Sequence, residues 1–281
     1  MSLPFDRVAE MDEGSVLIVD SLNLCFRWKH SKSLDFADDF INVVKSLQKS
    51  YKCSKVILLS DMGSSTYRKN IYPEYKANRA EKYAEQTEKE AEEFRLFFEE
   101  FERAMQLAEA ELPLLRFKGV EADDLAAYIV KKAKDYNIYN IWLISSDKDW
   151  DLLISEQVSR FSYVTRKEVT WNNWNEHYDC EPDQYISIKC LMGDAGDNIK
   201  GIEGIGPKRA ADLVKQYDNA LDIYYQLPIN SKYKYIQSLN ASGDTILTNY
   251  LLMDLVTHSE EAVGVENCKI VDKLLENLFD S

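Results

Sequence analysis

Nothing in the 281 residues supports a membrane span, a secretion signal or a disulfide framework. No apolar run approaches the roughly 18 residues that a span requires. Met1 to Glu10 carries Asp6 and Glu10 and has no apolar stretch, so it is not read as a signal peptide. The five cysteines, at 25, 53, 180, 190 and 268, are odd in number and contain no Cys-x-x-Cys pair. That argues against a stapled scaffold and a zinc cluster and for a reducing compartment. Histidine is scarcer still, with three residues far apart at 30, 177 and 258. A metal, if one is used, is then held by oxygen ligands, which favours a hard ion such as Mg²⁺ or Mn²⁺.

A basic excess is also missing. The net charge is −14, which taken alone speaks against a nucleic-acid partner. The average hides segregation. Thr66 to Lys82 has five basic and two acidic residues, and Asn198 to Lys215 has four and two. Tyr83 to Leu112 has ten acidic and three basic residues. Charges sorted in this way can present one sign at one face. What the sequence does have is core material: 45% of residues are apolar and 12% aromatic. Disorder as the main state is excluded, and the length suits one large or two small domains.

Four short apolar runs read as buried strands: Val16–Val19, Lys55–Ser60, Leu114–Phe117 and Asn140–Ile144. Helical patterns lie between them over Phe36–Tyr51, about Glu88–Leu112 and Asp123–Tyr136. Strands alternating with amphipathic helices predict an α/β fold with a mostly parallel central sheet and flanking helices. In the Glu88–Leu112 helix, Phe94, Phe97, Phe98, Phe101, Met105 and Ala108 share helical spacing and form its core face. From about Pro182 the texture turns helical, with segments at Pro182–Met192, Pro207–Gln216, Asn219–Gln226 and Thr245–Val256. The predicted division is 1–181 for the sheet domain and 182–281 for a helical lobe, packed as one continuous unit.

Ligands of such sheets bind at the carboxyl ends of the strands. Asp20, Asp61 and Asp147 stand at or just past three of those ends. Glu121-Ala-Asp123-Asp124, Asp147-Lys-Asp149 and Asp194-Ala-Gly-Asp197 complete a set of nine carboxylates. Singly, each is an ordinary turn or helix N-terminal residue. Together they would repel: two charges about 8 Å apart at an effective dielectric near 20 cost roughly 2 kcal/mol. Cations must neutralise such a cluster, and two divalent ions about 4 Å apart are an arrangement used for phosphodiester hydrolysis.

Gly201-Ile-Glu-Gly204-Ile-Gly206-Pro-Lys208-Arg209-Ala210 matches the helix–hairpin–helix pattern. Gly204 and Gly206 permit a tight turn whose N–H groups form an anion nest beside a helix N-terminus. Lys208 and Arg209 add charge for neighbouring phosphates, contacts that position a duplex without reading its sequence. Thr66–Arg79 interleaves tyrosine with lysine and arginine, the parts of a single-strand groove or of a surface loop with its tyrosines turned inward. The long connection from Asp61 to Leu114 has the length of a lid.

In order and spacing these motifs resemble the 5′-nuclease superfamily, in particular the flap endonucleases (5′–3′ exonucleases) of tailed bacteriophages. The carrying stretches are Val19-Asp-Ser-Leu-Asn23, Pro73-Glu-Tyr-Lys-Ala-Asn-Arg79, Gly119-Val-Glu-Ala-Asp-Asp-Leu-Ala126, Ser145-Ser-Asp-Lys-Asp-Trp150 and Met192–Arg209. The resemblance implies a structure-specific 5′ nuclease acting on DNA flaps, 5′ ends or RNA–DNA primers in replication. It implies a helical arch over about 62–112 and a hairpin motif over about 199–217. One metal site would be Asp20, Asp61, Glu121 and Asp123, with Asp124 close by; the other would be Asp147, Asp149, Asp194 and Asp197. Mg²⁺ would fill them, with Mn²⁺ able to substitute, and K⁺ would bind at the hairpin. Lys76 and Arg79 would engage the scissile phosphate or the threaded strand, and Tyr75 would stack on a base. Lys208, Arg209 and Lys189 would hold duplex DNA. A monomer in the cytoplasm, the host's if the chain is viral, and without a membrane partner is expected. Two readings compete. A catalytically silent binder of branched DNA gains nothing from nine repelling acids, and PIN-type ribonucleases are much shorter and lack the hairpin.

Overall fold

The computed structural model describes residues 12–31 and 35–279. Among these residues six strands form one sheet: β1 (Asp12–Asp20), β2 (Cys53–Leu59), β3 (Leu114–Leu115), β4 (Asn140–Ile144), β5 (Val158–Ser162) and β6 (Lys167–Val169). Their order is β3-β2-β1-β4-β5-β6, all parallel except β6. The chain runs outward from β1 on one side and returns to β4 on the other. The switch point therefore lies between β1 and β4, where ligand crevices form in such sheets. Register places Asp20 opposite Leu59 of β2, and Val19 opposite Ile144 of β4. The acids that follow these residues leave the sheet at one level.

Val16–Val19 is wholly buried because both faces of the sheet are covered. One face packs Leu17, Val19, Val56 and Leu58 against α1 (Ser21–Ser31), α2 (Ala37–Ser50) and, beyond the arch segments, the long helix Glu88–Glu109. That helix starts on a reciprocal cap. Thr87 Oγ1 accepts from Glu90 N at 3.3 Å, and the Glu90 carboxylate accepts from Thr87 N at 2.9 Å. Its Phe97, Phe101, Met105 and Ala108 are buried as the spacing predicts, while Phe94 lies under the Lys29 ammonium at 3.6 Å. Each large side chain buried there contributes about 1.5–3 kcal/mol.

Two short helices, α3 (Thr66–Ile71) and α4 (Ala77–Ala84), precede that long helix, α5, in the connection from β2 to β3. The other sheet face packs Val16, Ile18, Ile57 and Leu143 against α6 (Ala122–Lys132). The helical half contains α7 (Tyr185–Met192), α8 (Pro207–Tyr217), α9 (Ala220–Tyr225), α10 (Lys234–Ala241) and α11 (Gly243–Met253), which share a core around Leu191, Leu213, Val214, Ile223 and Ile246. Ile202 and Ile205 of the hairpin anchor in that core. Among the described residues, no helix is long and apolar enough to cross a membrane.

Three features depart from the sequence reading. Helix α1 begins at Ser21, directly on the end of β1, with no turn signal between them. β5 carries Arg160 inside a strand, which obscures its pattern; the charge is buried against Asp151. The last helices, α12 (Ser259–Val263) and α13 (Val265–Phe279), leave the helical half. Val263, Cys268, Val271 and Leu275 join the core of α6 and the sheet.

Candidate active site

Asp20, at the end of β1, is buried to 8% exposure. Its carboxylate accepts from Asn23 N at 3.1 Å and from Ser145 Oγ at 2.9 Å. Burial, with smaller repulsion from Asp61 and Asp147, pushes its pKa up to about 8. Asp61 follows β2 and accepts from Ala122 N at 2.7 Å; burial and the Glu121 charge raise it. Asp123 opens α6 and accepts from Trp150 Nε1 at 2.6 Å. Burial and the charges of Asp147 and Asp61 hold it well above the usual range. Asp147 lies past β4, exposed, and caps the 3₁₀ turn Lys148–Leu153 by accepting from Asp149 N at 2.9 Å. Among the described residues, no ion pair reaches Asp20, Asp61, Asp123 or Asp147.

The other five acids are paired with cations. Glu121 accepts from Lys76 Nζ at 2.8 Å, from Tyr75 Oη at 2.8 Å and from Ser65 N at 3.1 Å. Burial raises Glu121, but Lys76 and Arg68 outweigh it, and the carboxyl lies below its ordinary value. Asp197 meets Arg79 at 2.7 Å, Lys76 at 3.7 Å and Tyr75 Oη at 3.0 Å. Lys189 bridges Asp149 at 2.6 Å and Asp194 at 3.5 Å. Asp194 and Asp197 are carried by the ribbon of β7 (Gly193–Asp194) and β8 (Ile199–Lys200), where Asp194 also accepts from Gly196 N at 2.8 Å.

Three assignments need correction. Asp124 is 1% exposed and forms a two-pronged pair with Arg68 at 2.7 and 2.8 Å. Both its oxygens face the guanidinium and it is the most deeply enclosed of the five paired acids, so it stands behind the others rather than among the nearest candidates for an ion. Tyr75 is 2% exposed, its ring is packed and its hydroxyl is spent on Glu121 and Asp197. It cannot stack on a base and instead joins two acids. Lys189 is enclosed between Asp149 and Asp194 and faces the carboxylates rather than a duplex.

Among the described residues, no three His, Cys, Asp or Glu side chains are arranged to hold a metal ion. Lys76, Arg79 and Lys189 occupy oxygens of Glu121, Asp197, Asp149 and Asp194. The four unpaired acids still fit a hard divalent ion. They are desolvated or mutually repelling oxygen donors in no ion pair among the described residues, and such an ion supplies the missing charge.

Lys76 opens α4's approach with φ +57° and donates its N–H to Asp197 O at 2.9 Å. Burial works to lower its pKa, yet Glu121 and Asp197 prevail and raise it, so it stays charged. In the hairpin, Gly204 has φ +78°, a conformation that side chains other than glycine rarely adopt. Gly206 caps α8, Pro207 fills its first turn, and Lys208 and Arg209 are exposed. Arg209 Nη1 donates to Gly204 O at 2.5 Å and the guanidinium lies over Tyr235, 4.7 Å from the ring centre.

Sequence reasoning missed Arg68, Ser145, Trp150, Asp151 and Arg160. Arg68 ties α3 to α6 through Asp124, and to α11 through Leu252 O at 2.7 Å. The adjacent acids Asp123-Asp124 were its signal, since two neighbouring buried carboxylates require at least one cation.

Known proteins share this architecture. The family model described as 5′-3′ exonuclease, N-terminal resolvase-like domain, matches residues 15–179, and that described as 5′-3′ exonuclease, C-terminal SAM fold, matches 180–274. The flap endonuclease of Escherichia phage T5 is 43% identical over 276 residues, covering 97% of this chain and 94% of the relative. A structure of the phage T5 flap endonuclease in a pseudo-enzyme–product complex with DNA and metal ions superposes with a TM-score of 0.91 at 42% identity. It covers 95% of this chain and 100% of that one. A structure of the T5 5′-exonuclease with bound zinc gives a TM-score of 0.89 at 43% identity, covering 95% and 98%.

Proposed function

The chain belongs to the 5′-3′ exonuclease family and is a nuclease, and on that premise we propose that it hydrolyses phosphodiester bonds at 5′ flaps and free 5′ ends of DNA during replication, with RNA primers as a further substrate. The observation that carries this reading is the row of acids at the carboxyl ends of the parallel strands, four of them without a counter-charge, beside Lys76 and Arg79. It acts as a monomer, with residues 1–181 as the nuclease domain and a helical lobe from 182, the last two helices of which, α12 and α13, return to the nuclease core.

We assign two divalent ions to the carboxylates, Asp20, Asp61, Glu121 and Asp123 for one and Asp147, Asp149, Asp194 and Asp197 for the other. Mg²⁺ fits this oxygen set and Mn²⁺ can replace it. When bound, the ions lower the pKa of an attacking water and stabilise the oxygens of the breaking bond. Lys76 and Arg79 bind and orient the scissile phosphate, both now resting on carboxylates that the arriving phosphate can replace as partner. Gly204, Gly206, Lys208 and Arg209 hold the duplex backbone and fix its register, with K⁺ at the hairpin as a further backbone contact. The test is cleavage mapping on a 5′-flap duplex. Cutting at the flap junction that leaves a 5′-phosphate and requires a divalent ion is expected. Cutting without that ion, or scattered along the duplex, overturns the reading.

Metal uptake should release protons. The folded pKa of Asp20 is raised to about 8. Its contribution to stability is therefore fully present below the ordinary carboxylate range and is lost as pH rises through about 8. Ligation needs the deprotonated form, so divalent affinity should rise with pH over the same window. Titration calorimetry of the DNA-free protein at pH 7, in two buffers of different ionisation enthalpy, should report proton release. An identical heat in both would remove Asp20 from the ligand set.

Lys208→Ala with Arg209→Ala should weaken duplex binding and reduce the salt slope by roughly one unit for each lost phosphate contact. Arg209 also braces Gly204, so the single Lys208→Ala variant separates charge from hairpin geometry. A salt titration of binding that is unchanged in both variants would take the hairpin off the DNA path.

A further inference from the structure

Ser145 stands at the switch point and is 2% exposed. Its hydroxyl donates to Asp20 on β1 at 2.9 Å and accepts from the N–H of Asp147 at 3.1 Å. One hydroxyl thus spans the two acids that leave the sheet on either side of the crevice. Its backbone is fixed in turn. Ser145 N donates to Phe161 O at 3.2 Å, and Ser145 O accepts from Arg160 Nη1 at 2.8 Å. Arg160 cannot swing away, because its other nitrogens meet Asp151 at 2.5 and 2.8 Å, and Tyr178 Oη donates to the same carboxylate. Arg160 and Asp151 are both buried. The next residue is clamped too: Ser146 N donates to Asn23 Oδ1 at 2.8 Å, and Asn23 N donates to Asp20.

We propose that Ser145, backed by the buried Arg160–Asp151 pair, is a positioning residue that sets the separation of Asp20 and Asp147 and so prepares them for a divalent ion. The inference rests on the assignment of those two acids as ligands. A strand end needs no buried arginine, and a buried ion pair is a poor device for stability alone. It is well suited to holding one loop in one arrangement, as groups supporting a metal ligand do.

The test is Mn²⁺ binding to the full-length protein without DNA, followed by the resonance of the free aquo ion, alongside thermal melting and single-turnover cleavage. S145A should bind Mn²⁺ about tenfold or more weakly, within the range for loss of a group that supports a ligand. Its melting temperature should move by only a few degrees. S145T keeps the hydroxyl and should restore binding. Wild-type affinity in S145A overturns the proposal, and so do equal losses in S145A and S145T, which would indicate packing rather than the hydroxyl. D147N separates the two levels. If D147N also binds Mn²⁺ like wild type, the ligand assignment itself fails. If D147N loses binding and S145A does not, only the role of Ser145 fails. Should S145A not fold, the volume-matched R160M/D151L variant carries the test. Weakened Mn²⁺ binding supports the proposal and unchanged binding overturns it.

Discussion

Asp147→Asn and Asp149→Asn should each slow cleavage by more than the roughly 10–100-fold that follows loss of a group merely supporting a ligand. Neither should unfold the protein. Asp147 is exposed, makes no ion pair, and caps its 3₁₀ turn through Oδ1. Asparagine caps about as well, so the loss of stability should stay within a few tenths of a kcal/mol. The change also removes one of the charges that hold Asp123 up, a small gain for the metal-free fold. Asp149 differs, because its carboxylate is one of two that flank the enclosed Lys189. Its variant should melt somewhat lower, with Lys189 left to Asp194. Single-turnover cleavage at saturating Mg²⁺, with melting curves for both variants, decides the matter. Unchanged turnover in both would sink the two-ion assignment.

Lys76→Ala should lower the rate of the chemical step by about 10²–10³, the cost of one oriented donor at a reacting oxyanion. DNA affinity should fall far less. The side chain is 10% exposed and its ammonium sits between Glu121 and Asp197, so it has little reach along a duplex. At a φ of +57° alanine bears the same backbone strain of about 1–2 kcal/mol that lysine already bears, so the substitution is not confounded by geometry. Removing the cation leaves Glu121 with Arg68 and Tyr75, and Asp197 with Arg79. The readout is single-turnover rate against binding measured in Ca²⁺. If Lys76→Ala and the Lys208→Ala, Arg209→Ala pair lost rate and affinity in the same proportion, the division between reacting and holding residues would be wrong.

The apolar runs of β1, β2 and β4 were legible because strands buried on both faces leave no other reading. Their acids were legible because strand ends are where such sheets hold ligands. The partners were not. Arg68 looked like one more charge in a basic stretch, and only the fold brings it to Asp124, 56 positions away. Tyr75 read as a stacking ring because its neighbours are charged and polar, yet its ring faces inward. Lys189 lay in an apolar helix, where a lysine suggests the solvent side. Pairing across the fold turned it inward. β5 was missed because a buried arginine breaks the apolar pattern that announces a strand, and β6 because it is three residues long with two of them charged and exposed. Local composition reports propensity and exposure, whereas ion pairs between distant segments are fixed by topology.

Helices α12 and α13 come last in the chain, yet they complete the core around α6. Domains generally complete themselves from the N-terminus as synthesis proceeds. Here Leu125, Tyr128 and Ile129 of α6 wait for Val271 and Leu275, and Tyr128 Oη waits for Asp272 at 2.8 Å. All nine acids and the hairpin precede Ser259 in the chain, yet the core around the helix that carries Asp123 is incomplete until the 259–279 segment arrives. A nascent chain would therefore hold every candidate site residue while lacking the packing that completes the core beneath Asp123. A chain ending at Thr257 should bind a hydrophobic dye and lose protection of α6 amides in hydrogen exchange, with every residue of the site still present.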